Sequence, residues 1–198
     1  MEKHRHIRKR ILWSVVILSL ILFMTILIQH ENLRELDVTT SLLVQEFSVA
    51  NYSLFQYLSF LGSIYVVPVI LGIALVWLWQ HKKRKEVKIL AIAVISNYII
   101  VNIIKVLTDW ARPQEVQRAV EGTFPSAHAS TPFVLYTLAY LFLSKKQKAL
   151  PLFSIIALAV LIGFSRIIVN AHWLTDVLAG ILLAIAWISA TLLVYAKR

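Results

Sequence analysis

Apolar residues dominate this chain in long blocks, and the polar residues gather between the blocks or at their ends. The blocks run from Ile11 to Ile28, Leu61 to Gln80, Val87 to Leu107, Thr131 to Leu143, Leu150 to Ile168 and Leu174 to Tyr195. A helix needs about 20 apolar residues to cross a hydrocarbon core of roughly 30 Å, and at least four of the blocks meet that requirement clearly. The pattern therefore predicts an all-α fold: a six-transmembrane helix bundle, forming a single integral-membrane domain over residues 1–198. The first block follows a basic stretch, as in a signal peptide. No small-x-small cleavage site follows it, so it is read as the first span.

Between the first two blocks lies a segment too polar to span, yet ordered by helical period. Leu43, Phe47, Ala50, Leu54, Leu58 and Leu61 fall on one stripe, and Gln45, Ser48, Tyr52, Gln56 and Ser59 on another. Such a helix is expected to lie along the membrane interface, either packed on the bundle or forming a lip where a lipid enters.

Composition agrees with this picture. The apolar share is 59% and the mean hydropathy +0.76, far more than a soluble core of this size needs. The absence of cysteine excludes disulfides, thiolate metal sites and cysteine nucleophiles. The net charge of +10 sits in short clusters beside the spans, and no soluble domain remains to carry a nucleic-acid surface.

Those clusters also orient the chain. Fifteen of the 20 basic residues fall in the N-terminus, the second-to-third and fourth-to-fifth connections, and the tail. By the positive-inside rule these segments, and both termini, are cytoplasmic in what is read as a plasma-membrane protein. The other five, Arg34, Lys105, Arg112, Arg118 and Arg166, share the opposite side with eight of the ten acids.

On that side the polar residues form three groups. Lys105 ends the third span, and Arg112-Pro113 follows in a loop, since a residue before proline is pushed out of the helical region; the helix should stop near Trp110. Ser126 could cap the fourth span and stand with Ala127 and His128 beside free backbone N–H groups. Ser130 is a rival cap, because Pro132 would then fall in the first turn. Finally, Arg166 ends the fifth span, and His172 stands four residues before Asp176. If residue 172 is helical, that spacing puts imidazole and carboxylate on one face, where the carboxylate can hold one ring nitrogen and leave the other free to attack. Three cations, a hydroxyl, two histidines and a carboxylate suit phosphoryl transfer. One carboxylate among three cations is a poor ligand shell for a divalent metal, so none is expected.

The arrangement Lys105-x6-Arg112-Pro113, Pro125-Ser126-Ala127-His128 and Ser165-Arg166-x5-His172-x3-Asp176 resembles the three-block signature of the type 2 phosphatidic acid phosphatase superfamily, in its compact bacterial membrane form. The resemblance implies His172 as a nucleophile forming a phosphohistidine, Asp176 as its orienting group and His128 as the acid that protonates the departing lipid oxygen. It implies a phosphate held by Lys105, Arg112, Arg166, Ser126 and the Ala127 amide, with no metal or other cofactor. The family usually carries glycine where this chain has Ala127; alanine keeps the N–H but resists positive φ.

The expected partners are the bilayer and a lipid phosphate or pyrophosphate, with undecaprenyl pyrophosphate, phosphatidylglycerol phosphate and phosphatidic acid as candidates. A lipid phosphotransferase using the same residues, and a carrier that only binds lipid or anion, remain as alternatives.

Overall fold

The computed structural model describes residues 2–111, 113, 122–143 and 151–196. Among these, seven α-helices follow in order: α1 (Glu2–Ile28), α2 (His30–Leu61), α3 (Val66–Gln80), α4 (Arg84–Thr108), α5 (Ala127–Leu143), α6 (Leu152–Ile168) and α7 (Leu174–Ala196). The fold is the expected all-helical membrane bundle, with α2 as the extra helix between the first two spans.

Among the described residues, three helices are long and apolar enough by themselves to cross a membrane: Lys9–Ile28 within α1, α4, and Leu174–Tyr195 within α7. The block Leu61 to Gln80 is not one continuous helix. It breaks at residues 62–65, and α3 meets the end of α2 at a bend of 43°. The 15 residues of α3 reach only roughly 22 Å at 1.5 Å per residue, so this crossing needs the last turns of α2. The apolar helices α5 and α6 complete the set at 17 residues each.

Cohesion here differs from that of a soluble core. Where lipid surrounds the bundle, burying leucine against leucine expels no water, and association rests on close packing and internal hydrogen bonds. α5 lies at the centre, against α6, α7, α4 and α3, while α1 packs on α7 and α2 on α6. Leu78, Leu90, Val134, Leu135, Leu138, Ala159 and Ala184 fill the main cluster. Small residues bring the backbones together: a Cβ on Gly180 would lie 2.6 Å from the Ser126 carbonyl, and one on Gly163 would lie 3.1 Å from Ala129 Cβ. Both contacts seat the start of α5 between α6 and α7.

The two ends of the bundle are chemically distinct. At one end, Lys83, just before α4, and Lys85, in its first turn, donate to the carbonyls of Phe142 and Tyr195 at 2.5 and 2.8 Å, satisfying the last turns of α5 and α7. The other end gathers the residues proposed for chemistry.

α2 departs from the amphipathic reading at three positions. Leu43 and Leu54 of the apolar stripe are 66% and 58% exposed, whereas Ser59 of the polar stripe is only 5% exposed. Gln45, Tyr52 and Gln56 of the polar stripe are exposed and Leu58 and Leu61 are partly buried, so the inversion is local: Ser59 turns inward to a partner, and a leucine beside lipid can face outward without cost. The side chains of Phe47, Ser48 and Ala50 lie outside the described residues.

Candidate active site

α4 ends at Thr108, two residues before the position expected from Arg112-Pro113. Asp109 adopts φ 47° and its N–H bonds the Lys105 carbonyl, which closes the helix. Lys105 is buried in the last turn and its Nζ donates to the Gly122 carbonyl at 3.1 Å. Arg112 lies outside the described residues, so its expected phosphate contact has no geometry here. Its neighbour Ala111 is held at the site, because Trp173 Nε1 donates to the Ala111 carbonyl at 2.9 Å.

α5 begins at Ala127, four residues ahead of the apolar block that predicted it. Ser126 takes the cap position, and its carbonyl accepts the N–H groups of Ala129 and Ser130 at 3.2 and 3.1 Å. Ser130 is therefore inside the helix, where it bonds Asn97 of α4. Pro132 lies beyond the first turn, in the helix interior. It lacks the N–H that would bond the carbonyl four residues back. The Ser126 hydroxyl is buried and has no hydrogen-bond partner among the described residues. A donor left in that state beside a helix N-terminus fits an anion-binding role. Ala127 has an ordinary helical backbone; positive φ among described non-glycine residues occurs at Lys82, Asp109 and Asn170. The alanine thus carries no backbone strain at this position.

The turn between α6 and α7 sets the distance from Arg166 to His172. Asn170 stands in the left-handed region at φ 54°, where asparagine is tolerated. Its N–H bonds Ile167 O at 2.9 Å, and the Ala171 N–H bonds Arg166 O at 2.9 Å, the paired bonds of a Schellman turn. The His172 N–H also reaches Arg166 O, at 3.2 Å. His172 consequently precedes α7, and the condition that it be helical is not met. The pair forms nonetheless: His172 Nδ1 lies 3.3 Å from Asp176 Oδ2, with both side chains buried. The reason is helix capping. Asp176 occupies the first turn and reaches back to accept the Trp173 N–H at 3.0 Å, so its carboxylate points toward the residues before the helix.

A cavity of about 470 Å³ joins these elements. Lys105, Ala127, His128, Arg166 and His172 line it together with Ile64, Val67, Leu71, Val94 and Ile95. Four helices and the turn before α7 thus bring the separated polar blocks and a set of aliphatic side chains to one pocket.

Several residues of this site were not singled out from the sequence. Thr123 Oγ1 lies 3.3 Å from Asp176 Oδ1, tying the loop before α5 to the carboxylate. From α2, Asp37 accepts bonds from the Thr175 N–H and hydroxyl at 2.9 and 2.6 Å. Ser41 donates to Asn170 Oδ1 at 3.0 Å, and Ser59 accepts from Arg166 Nη1 at 2.5 Å. Asp37 shares its stretch of sequence with Glu31, Arg34 and Glu35, and no local signal distinguishes it from them.

The family model for the PAP2 superfamily matches residues 86–198. This chain belongs to the PAP2 superfamily. Among solved structures, the fold resembles a transmembrane PAP2-type phosphatidylglycerolphosphate phosphatase from Bacillus subtilis, with TM-score 0.78 and 19% identity over 94% of this chain and 96% of the other. It also resembles LpxE from Aquifex aeolicus, with TM-score 0.60 and 25% identity over 79% of this chain and 94% of the other. Comparison with curated proteins yields no match. The PAP2 match begins just after α3, so the Lys105, His128, Arg166 and His172 positions fall within it, whereas α1, α2 and the α2 contacts to the site fall outside.

Proposed function

We propose that this PAP2 protein hydrolyses the phosphate ester or pyrophosphate of a membrane lipid through a phosphohistidine at His172. The observation that carries the reading is the cavity itself: cationic, histidine and aliphatic side chains line one space. A lipid phosphate combines the matching chemistries, an anionic headgroup and an apolar chain.

In this reading His172 Nε2 attacks phosphorus while Nδ1 stays bonded to Asp176, and the bond from phosphorus to the lipid oxygen breaks. His128 gives its proton to that oxygen, and then takes one from the water that cleaves the phosphorus–nitrogen bond. Lys105, Arg166 and Arg112, with the Ser126 hydroxyl and Ala127 N–H, neutralise the equatorial phosphoryl oxygens. No metal enters these steps. The Bacillus subtilis phosphatidylglycerolphosphate phosphatase supports a lipid substrate, and phosphatidylglycerol phosphate belongs among the first to test. In this reading, supported by the positive-inside rule, both termini are cytoplasmic and the cavity opens at the outer face of the plasma membrane.

The test is phosphate release by the purified protein from phosphatidylglycerol phosphate, phosphatidic acid and undecaprenyl pyrophosphate, with and without chelator. Wild-type protein is expected to release phosphate from at least one lipid in either condition, and His172→Ala to abolish both turnover and acid-labile phosphoenzyme. Turnover retained by purified His172→Ala protein would overturn the reading.

A further inference from the structure

We propose that Asp37 is a positioning residue of this site: from α2 it clamps the first turn of α7 through Thr175 and so holds Asp176 against His172. The proposal rests on the phosphatase reading of the cavity. It concerns a residue outside the segment that the family model matches.

The need for such a clamp follows from the start of α7. A helix leaves its first N–H groups without internal partners, and a Ser, Thr, Asp or Asn at the cap position ordinarily accepts from the second or third helical residue. Here the cap position belongs to Trp173, whose indole can only donate and is engaged with the Ala111 carbonyl. The N–H of Thr175, second in the helix, is instead taken by Asp37 Oδ1 at 2.9 Å, and the Thr175 hydroxyl by Asp37 Oδ2 at 2.6 Å. The cap is therefore supplied by a residue 138 positions away.

Asp37 is 3% exposed, so water is a poor substitute for either bond. The next residue along the helix is Asp176. Its Oδ2 serves both the Trp173 N–H and His172 Nδ1, while Oδ1 faces the Thr123 hydroxyl. Two carboxylates thus divide the donors of one helical turn, and the direction of Asp176 depends on Thr175 staying in place. Ser41 bonds Asn170 one helical turn along α2 from Asp37, which anchors the same helix to the turn that carries His172. A displacement of about 1 Å at a reacting group can lower a rate by about 100-fold, so fraying this turn is a kinetic matter as well as a structural one.

The decisive comparison is between Asp37→Ala and Asp37→Asn. Asparagine can accept from the Thr175 N–H through Oδ1 and donate to the Thr175 hydroxyl through Nδ2, keeping the geometry without the charge. Two readouts apply: kcat and KM on the lipid panel, and the His172 Nδ1 proton resonance of [15N]histidine-labelled protein in micelles, assigned with His172→Ala.

Asp37→Ala is expected to lower kcat by about 10- to 100-fold with KM within about threefold, and to lose the Nδ1 proton resonance. Asp37→Asn should keep the resonance and stay within about threefold of wild-type kcat. Should Asp37→Ala fail to fold, Thr175→Val removes the hydroxyl bond alone and is expected to give an intermediate loss of kcat.

Wild-type kcat and an intact resonance in Asp37→Ala, with only a lowered unfolding temperature, would reduce Asp37 to a structural role and overturn the proposal. Equal damage in Asp37→Asn would also overturn it, by making charge rather than hydrogen bonding the cause. If wild-type protein hydrolyses none of the lipids, the phosphatase reading fails separately, and the histidine resonance decides the role of Asp37 on its own.

Discussion

Ser59, near the end of α2, accepts a hydrogen bond from Arg166 Nη1 at 2.5 Å across 107 positions of sequence. The serine is buried, and Arg166 lines the cavity. The guanidinium is thereby held before any phosphate arrives, which lowers the ordering cost of binding.

Ser59→Ala removes that acceptor. A hydrogen bond to a charged group contributes about 1.5–3 kcal/mol, so kcat/KM on a lipid phosphate should fall by about 10- to 100-fold. Ser59→Thr retains the hydroxyl and is expected to recover most of the loss. Steady-state kinetics of the three proteins in the same detergent checks this, and unchanged kcat/KM in Ser59→Ala would mean that Arg166 is ordered by other contacts.

Gly180 supports the site through space rather than hydrogen bonding. A Cβ there would stand 2.6 Å from the Ser126 carbonyl, a backbone atom that cannot swing aside. Gly180→Ala should cost about 1–3 kcal/mol of stability and displace the start of α5. Gly72→Ala is the control, because a Cβ at Gly72 meets nothing within 4 Å. Thermal unfolding and phosphate release should both fall for Gly180→Ala and both hold for Gly72→Ala.

His128 is placed by the first turn of α5 and packs near Gly62, whose added Cβ would lie 3.3 Å from His128 Cδ2. As a general acid it should contribute about 10²- to 10⁴-fold. His128→Ala is expected to lose that factor on a lipid phosphate and much less on a substrate with an aryl leaving group, which needs no proton. Equal losses on both substrates would assign His128 to binding.

Asp37 also makes a pH-dependent prediction. Burial pushes its carboxyl above the ordinary value of 3.8, against the opposing effect of the two Thr175 bonds. A carboxyl raised in the folded state contributes stability that is fully present below the unfolded value and is lost as pH rises through the folded one. Asp37→Asn has no such loss. The unfolding temperature of Asp37→Asn minus that of wild type should therefore increase upward from about pH 4 and level off once the wild-type carboxyl is ionised. A difference that stays flat from about pH 4 to 8 would contradict the raised value.

The sequence by itself determined the solvent and the class of fold, and nominated the polar blocks proposed for chemistry. Apolar run length distinguishes lipid from water, and Lys105, His128, Arg166 and His172 are recognisable because charge beside a span is costly without a use. Helix α7 was legible to within one residue, from Leu174 to Tyr195 against Ala196, because a long apolar run leaves few alternatives.

Only the tertiary structure decided where polar faces point and which distant residues meet. The stripe on α2 shows a period but not what lies on either side of it, and Ser59 turns inward because its partner is Arg166. The break at residues 62–65 and the early start of α5 depend on turns and caps, which hydropathy does not register. The His172–Asp176 contact arises from Asp176 reaching back over the start of α7, and that start is capped by Asp37 from another helix. Local spacing could nominate the pair; packing supplied the geometry, because the bonds that aim these side chains come from residues far away in the chain.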